Sequence, residues 1–170
     1  MKTITTTLAL FATLQLQAQF RHQASVRFAH NQVALSYRNY PQKCPLWFEP
    51  FIGLSNQDIN NKFDDKTVGI KTGIPLANLS RWDFYGALSC GYYFTSNKLY
   101  SANTPYGGFL LGSELKLGKQ RKSRIAFELG YTYGEKSYSQ TSENDLVWIK
   151  TTDRFKLSPI YYSIGYAFCF

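Results

Sequence analysis

The C-terminal segment carries the clearest pattern of hydrophobic and polar positions in the chain. From Ile160 to Phe170 every even-numbered residue is large and apolar or aromatic, and from Ser163 onward every odd-numbered residue through Cys169 is small. Because successive side chains of a strand point to opposite faces, this alternation predicts a β-strand with one bulky and one small face. The bulky face suits lipid, and the small face suits the interior of a narrow barrel.

The same alternation recurs along the chain between turn-rich stretches. It predicts strands at about 24–28, 33–38, 46–56, 66–77, 82–96, 104–118, 124–138 and 154–170. Residues 23–38 would also fit one long strand, which would give seven; we prefer eight because an even number brings both chain ends to one side. The connections then divide into short turns at 40–45, 78–81 and 118–123 and mostly longer loops at 30–32, 56–66, 96–104 and 139–153. The predicted fold class is all-β, an antiparallel up-and-down transmembrane β-barrel.

The first residues predict an export signal. Lys2 supplies a short basic region, and residues 4–16 form a Thr- and Leu-rich stretch too short to cross a bilayer as a helix. Cleavage after Ala18 would leave Gln19 as the first mature residue, and the absence of Cys there argues against a lipoprotein. We therefore expect a signal peptide over 1–18 and one barrel domain over 19–170.

The signal, the repeated alternation and the terminal Phe170 together resemble the small outer-membrane β-barrels of Gram-negative bacteria, the OmpX-like and OmpA-like class. The resemblance implies a location in the cell outer membrane, contact with outer-membrane lipid, and the barrel-insertion machinery as a partner during assembly. In that class the last strand is the insertion signal, which here would consist of Tyr162, Ile164, Tyr166, Phe168 and Phe170.

Composition and charge fit a barrel in a membrane. Aromatic residues make up 17% of the chain although its mean hydropathy is slightly polar, as expected where lipid-facing and lumen-facing residues alternate. The formal charge is +8, but Lys and Arg are scattered along the sequence. This distribution argues against nucleic acid as a partner and favours contact with anionic lipid headgroups.

Strand parity places eight charged residues on the inner face. They are Arg27, Arg38, Glu49, Lys71, Glu114, Lys116, Arg124 and Glu128. A lumen of eight strands is just wide enough for side chains to fill it, so these charges are expected to pair with one another or meet water. A gated ion path is the functional alternative, and we favour a closed, paired core because no ring of like charge is present.

Candidate catalytic and metal-binding residues are scarce. Barrel enzymes that modify lipid need a Ser nucleophile, a His base and a carboxylate, and neither His22 nor His30 lies at a convincing spacing from such partners. We predict no enzyme activity, no cofactor and no metal. The odd number of cysteines favours free thiols, with Cys44–Cys169 as the alternative pair in an oxidising compartment.

Loop 139–153 contains an apolar run within an otherwise polar stretch, formed by Leu146, Val147, Trp148 and Ile149. These residues could pack at the outer membrane interface, or they could lie on a protruding hairpin whose edge accepts a strand from an unidentified protein partner. The predicted function is a structural or interaction barrel with surface loops that contact the environment or a partner. The alternatives are a small pore or lumen-binding barrel, a lipid-modifying enzyme, and a subunit of a secretion or transfer apparatus.

Overall fold

The computed structural model describes residues 22–41, 44–56, 65–96, 101–144, 147–156 and 159–170; the predicted signal peptide lies outside them. The described residues form nine β-strands. Their bounds are His22–Ala29 (β1), Gln32–Asn39 (β2), Trp47–Ser55 (β3), Asp65–Leu79 (β4), Trp82–Ser96 (β5), Ser101–Leu117 (β6), Ser123–Asn144 (β7), Val147–Lys156 (β8) and Ile160–Cys169 (β9). Within these ranges no helix is long and apolar enough to cross a membrane.

The strands close into a barrel. Each strand from β1 to β6 pairs antiparallel with the next, β6 pairs with β7, and β9 pairs with both β7 and β1. The wall therefore contains eight strands, and β8 is an extension that pairs with the upper part of β7. The chain is thus a closed, eight-stranded antiparallel barrel, which confirms the fold class and the division of residues 22–39 into two strands.

Short turns join the strands at the end that carries both termini. β4 continues to Leu79, beyond its predicted end, so only Ser80 and Arg81 remain for the turn to β5. The β6–β7 turn contains Gly118, whose φ of 71° lies in the left-handed region where glycine has no Cβ to clash. At the opposite end His30 and Asn31 alone connect β1 to β2.

The upper part of the barrel differs from the prediction. The predicted loop at 139–153 is wrong, because β7 continues to Asn144 and β8 begins at Val147. The predicted strand over 154–170 is interrupted at Pro159, between the end of β8 at Lys156 and the start of β9 at Ile160. Proline has no N–H to donate to a strand ladder, and here its carbonyl instead accepts a hydrogen bond of 2.8 Å from the Thr132 amide.

The two faces of the wall have opposite chemistry. On the outer face, thirty large apolar or aromatic side chains of the described residues are 37–64% exposed. The inner face carries charged, small and aromatic residues that are buried, as the strict alternation of β2 illustrates. The wall is also uneven in height, because β1 and β2 have eight residues each whereas β7 has 22. The His30–Asn31 turn is therefore a low point, where the Asn56 amide donates to the Asn31 carbonyl at 2.7 Å.

Candidate functional site

A network of ion pairs fills the middle of the lumen. Glu128 on β7 accepts from Arg27 Nη1 at 2.9 Å and from Lys71 Nζ at 2.6 Å. The hydroxyls of Tyr85 and Ser163 donate to the same carboxylate at 2.8 and 3.2 Å. These contacts satisfy both carboxylate oxygens of a side chain that has almost no access to solvent.

Glu49 on β3 is the second centre of this network. Arg27 approaches it with Nε 3.1 Å from Oε1 and Nη2 3.3 Å from Oε2, which is the two-pronged geometry that a guanidinium favours. Arg38 donates to the same carboxylate from Nε, and the Ser36 hydroxyl donates to Oε1 at 2.8 Å. Glu49 and Glu128 are therefore linked through Arg27.

The network continues downward to the rim that carries the termini. Arg38 Nη1 lies 2.7 Å from Glu114 Oε1, and Arg124 Nη1 lies 2.8 Å from Glu114 Oε2. Asp83 completes this lower part, 2.7 Å from Lys116 and 3.2 Å from Arg124. Five cations and four carboxylates thus make up this network, and a fifth inward carboxylate, that of Asp65, is buried at the upper end of β4.

Aromatic rings surround the guanidinium of Arg38. Its carbon lies 3.9 Å from the centroid of the Trp47 ring and 4.6 Å from that of Tyr85, distances at which a cation is attracted to a ring face. Just beyond the end of β2, Tyr40 accepts a hydrogen bond from Arg38 Nη1 at 3.1 Å and donates to Gln23 at 3.4 Å. Burial raises the pKa of Tyr40 to about 12, so its hydroxyl stays protonated and able to donate.

All eight charged residues that parity placed inside lie on the inner face. Six of them are buried, namely Arg27, Arg38, Glu49, Lys71, Glu114 and Glu128, while Lys116 and Arg124 are half-buried near the rim. The structure also brings Asp83 into the network, which the sequence reasoning missed. Its spacing of two and four residues from Tyr85 and Ala87 puts it on their inward face, so the same parity rule would have found it.

A small cavity of about 20 Å³ lies in the lumen above the network. It is lined by Gln32, Phe51, Ser89, Tyr93, Tyr106 and Tyr161, among others. This volume is close to that of one water molecule, so this cavity has room for about one water. The Tyr93 and Tyr106 rings stack in the wall of this cavity, with centroids 4.4 Å apart.

The two histidines lie away from the lumen network. His22 Nδ1 is 2.6 Å from the Tyr37 hydroxyl on the outside of the barrel, and the His30 ring stacks on Tyr162 with centroids 4.9 Å apart. Burial lowers the pKa of His30, so its ring is neutral near pH 7. No group of three or more metal-ligating side chains occurs among the described residues. The three cysteines are free thiols; Cys44 and Cys90 are exposed and Cys169 is buried.

The predicted insertion signal forms the outward face of the strand that closes the barrel. Its five members, Tyr162, Ile164, Tyr166, Phe168 and Phe170, are all exposed on the outer surface. The Phe170 ring stacks on His22 at 5.9 Å, and its amide donates to the His22 carbonyl at 3.0 Å. The first and last residues of the described chain therefore meet at the closure seam.

The predicted partner segment is part of a hairpin rather than a loop. Val147, Trp148 and Ile149 begin β8 and pair with Asn144, Glu143 and Ser142 of β7, whereas Leu146 lies outside the described residues. Residues 135–144 of β7 pair with β8 alone in the described part of the chain, since the pairing with β6 ends at Gly134 and that with β9 at Tyr131. Among the described strands, the hairpin thus leaves one edge of each strand unpaired.

Comparisons with known proteins add distant likenesses in fold. No family model matches the chain, and no curated protein matches it in sequence. A major outer membrane protein from Thermus thermophilus is similar with a TM-score of 0.44 and 11% identity, over 89% of this chain and 100% of that one. KdgM porin is similar with a TM-score of 0.32 and 9% identity, over 88% of this chain and 98% of that one. Likenesses of this degree assign no activity to the chain.

Proposed function

We propose that the chain is an integral outer-membrane β-barrel of structural or interaction type, with a closed lumen and a hairpin that accepts a strand from a protein partner. The observation that supports membrane integration is the outer face, with its thirty exposed apolar and aromatic side chains. Soluble monomers rarely expose contiguous apolar patches of more than a few hundred Å², whereas a membrane barrel requires such a belt.

The two ends of the sequence support the outer membrane as the location. The N-terminal basic and apolar stretch fits an export signal, and the outward aromatic residues of β9 fit the alternation that insertion machinery recognises. Phe170 is exposed and lies at the seam between β9 and β1, where assembly of a closed barrel would end. The barrel-insertion machinery and outer-membrane lipid are therefore the proposed assembly partner and surroundings.

The lumen supports a structural role over conduction. Glu49, Glu114 and Glu128 each contact at least two cations, and the cavity above this network has room for about one water molecule. An ion that crossed this lumen would have to displace several buried ion pairs, each of which costs roughly 3–5 kcal/mol to break from one side. The barrel is accordingly proposed to be a non-conducting, non-enzymatic scaffold.

The β7–β8 hairpin supports an interaction role. Ten ladder pairs, from Glu135↔Lys156 to Asn144↔Val147, extend the barrel beyond the ring of eight strands. Its unpaired edges present backbone N–H and C=O groups, which are the groups that bind an added strand. The edge of β8 is rich in β-branched and aromatic residues, a composition that favours strand pairing.

Proline substitutions at two neighbouring positions of β8 test this role. Successive N–H groups of a strand point to opposite sides, so Thr151→Pro and Thr152→Pro remove donors from opposite edges of β8. One variant weakens the β7–β8 ladder and the other alters only the free edge. We expect a photoreactive residue placed elsewhere on β8 to form a defined protein adduct in intact cells.

That adduct should be lost in both proline variants, while only the ladder-side variant should also increase proteolysis of the hairpin. A variant with an intact, protease-resistant hairpin and an altered free edge that still forms the adduct would contradict strand addition. Absence of any protein adduct in cells that carry the barrel in the outer membrane would contradict the interaction role.

A further inference from the structure

The surplus positive charge of the barrel is concentrated at one rim. The segments that connect or extend the strands at the hairpin end carry no net charge when taken together. Segment 56–66 contains three acidic and two basic residues, 96–104 contains one basic residue, and 135–156 contains four of each. Apart from Asp65, which is counted in the first of these segments, the lumen holds five cations and four carboxylates. Two of the three turns at the opposite rim, 80–81 and 118–122, contain Arg81, Lys119, Arg121 and Lys122 and no acidic residue.

The side chains of these four rim cations have no acidic partner in the described part of the chain. Arg81, Lys119 and Arg121 are exposed, and Lys122 is half-buried. The carboxylates nearest to them along the chain, those of Asp83, Glu114 and Glu128, are already engaged by lumen cations. The rim therefore presents several unneutralised positive charges to whatever lies beside it.

The fold holds the two basic turns next to each other. The Lys116 amide donates to the Arg81 carbonyl at 2.8 Å, which fixes the β4–β5 turn against the start of the β6–β7 turn. Arg121 has a φ of 55°, in the left-handed region that residues with a Cβ adopt at a cost of about 1 kcal/mol or more. Gly or Asn would be less strained there, so turn geometry alone does not account for a cation at this position.

Several large apolar side chains lie directly beside the basic turns. Trp82 follows Arg81 and stacks on Phe84, with centroids 6.3 Å apart, and its ring is 6.5 Å from that of Phe127. Leu79, on the other side of the turn, is exposed on the outer face. Trp residues concentrate at the level where the apolar core of a bilayer meets the headgroups, so in a bilayer the cations just beyond Trp82 would lie at headgroup depth.

We infer that this rim binds the phosphate groups of anionic phospholipids, of the phosphatidylglycerol class, in the leaflet that the short turns face. The inference rests on the proposed membrane location and adds to it the lipid class and the residues that select it. Lys and Arg near an anionic membrane surface contribute about 1 kcal/mol each, and Arg can form two parallel hydrogen bonds to one phosphate. A lipid diffusing along the wall would meet the Trp82 ring with its chain and the basic turns with its headgroup.

Trp82 provides a built-in reporter for the test. In the Trp148→Phe background the remaining tryptophans are Trp82, on the outer face, and Trp47, buried in the lumen. The full-length exported protein is purified and placed in phosphatidylcholine bilayers that contain brominated phosphatidylglycerol or brominated phosphatidylcholine, and quenching of Trp fluorescence gives the relative binding constant of the two lipids. We expect a preference for phosphatidylglycerol of about fivefold, equivalent to one well-placed cation.

Substitutions at the two rims locate the preference. Arg81→Gln, Lys119→Gln, Arg121→Asn and Lys122→Gln together should lower the ratio to about one; Asn is chosen at position 121 because it tolerates the left-handed region. Lys119→Gln with Lys122→Gln should give an intermediate value. The matched control, Lys66→Gln with Lys156→Gln, removes two exposed cations at the hairpin end and should leave the ratio unchanged.

The outcomes separate this inference from the proposed function. Quenching by brominated phosphatidylcholine without a preference for phosphatidylglycerol would contradict the binding of anionic lipid at the rim, but it would agree with the proposal that the chain is a membrane barrel. An equal loss of preference in the control would also overturn it, because the charge would then act from either end. Absence of quenching by either lipid would overturn both, since Trp82 would not be in contact with a bilayer.

Discussion

Inside the barrel, Arg27 and Lys71 lie 2.9 and 2.6 Å from Glu128, whereas on the rim Lys119 and Arg121 have no acidic partner in the described residues. The residue types are the same, but the surroundings differ. A cation buried without a counter-charge costs several kcal/mol, so the lumen must pair its charges to fold. A cation in water costs nothing comparable, so the rim can hold its charges unpaired and available for an external anion.

Loss of the buried carboxylate of Glu128 is expected to destabilise the barrel more than any other substitution proposed here. Glu128→Ala removes the carboxylate shared by Arg27 and Lys71 and should lower the free energy of unfolding by roughly 3–5 kcal/mol, because it leaves buried positive charge uncompensated. Urea titration of the folded barrel in detergent, followed by gel mobility, measures this change.

Glu135 is the matched control for that substitution. It is the same residue type on the same strand, but it is exposed on the outer face and paired in register with Lys156. Glu135→Ala should cost less than about 1 kcal/mol, as is usual for exposed pairs. Equal losses in the two variants would contradict a stabilising role specific to the lumen network.

A smaller effect is predicted for two glycines that lie on opposite faces of the wall. A Cβ at Gly112 would overlap the Tyr85 ring, which is held by Glu128 and by an edge-to-face contact with Trp47. Gly112→Ala should therefore destabilise the barrel by about 1–3 kcal/mol through overpacking.

Gly86 offers the corresponding outward position. The nearest atom to a Cβ there, from Leu76, would be 3.6 Å away, so Gly86→Ala should be neutral or stabilise by up to about 1 kcal/mol. Equilibrium unfolding of the two variants side by side provides the measurement. If Gly86→Ala is the more damaging of the two, the assignment of inner and outer faces is wrong.

The smallest effect on stability is predicted for the rim. Lys119→Gln with Lys122→Gln removes two cations without ion-pair partners in the described chain and should change the free energy of unfolding in lipid-free detergent by less than about 0.5 kcal/mol. The same urea titration measures it. A loss of about 2 kcal/mol or more, which is the scale of a buried interaction, would show that the rim cations stabilise the barrel itself.

Alternation along the chain was sufficient to predict the barrel and the faces of its residues. The period of two identified the strands, and the His30–Asn31 turn divided β1 from β2 as expected. Parity also put Glu49, Lys71 and Glu128 on one face of the wall. Parity could not give their positions along the barrel axis, which decide which charges meet. The ion pair of Lys71 with Glu128 joins positions 57 residues apart on strands that are not neighbours.

The hairpin shows where the sequence pattern fails. Residues 139–144 are Ser, Gln, Thr, Ser, Glu and Asn, which offer no contrast of apolar and polar faces for the period of two to reveal. Strand structure there follows from pairing with β8, a tertiary contact that local composition does not encode. Pro159 has no N–H to give to a strand ladder, but whether the strand bends, slips or ends there depends on its neighbours, which the sequence pattern does not give.

Gel mobility of unboiled and boiled protein from isolated outer membranes tests whether the chain is a closed membrane barrel. A closed barrel with a paired lumen should resist unfolding in detergent at room temperature and migrate differently from the boiled, unfolded chain. We predict a clear shift in mobility in the outer-membrane fraction. Identical mobility, with the protein recovered as a soluble periplasmic species, would contradict the membrane barrel and favour a soluble binding barrel.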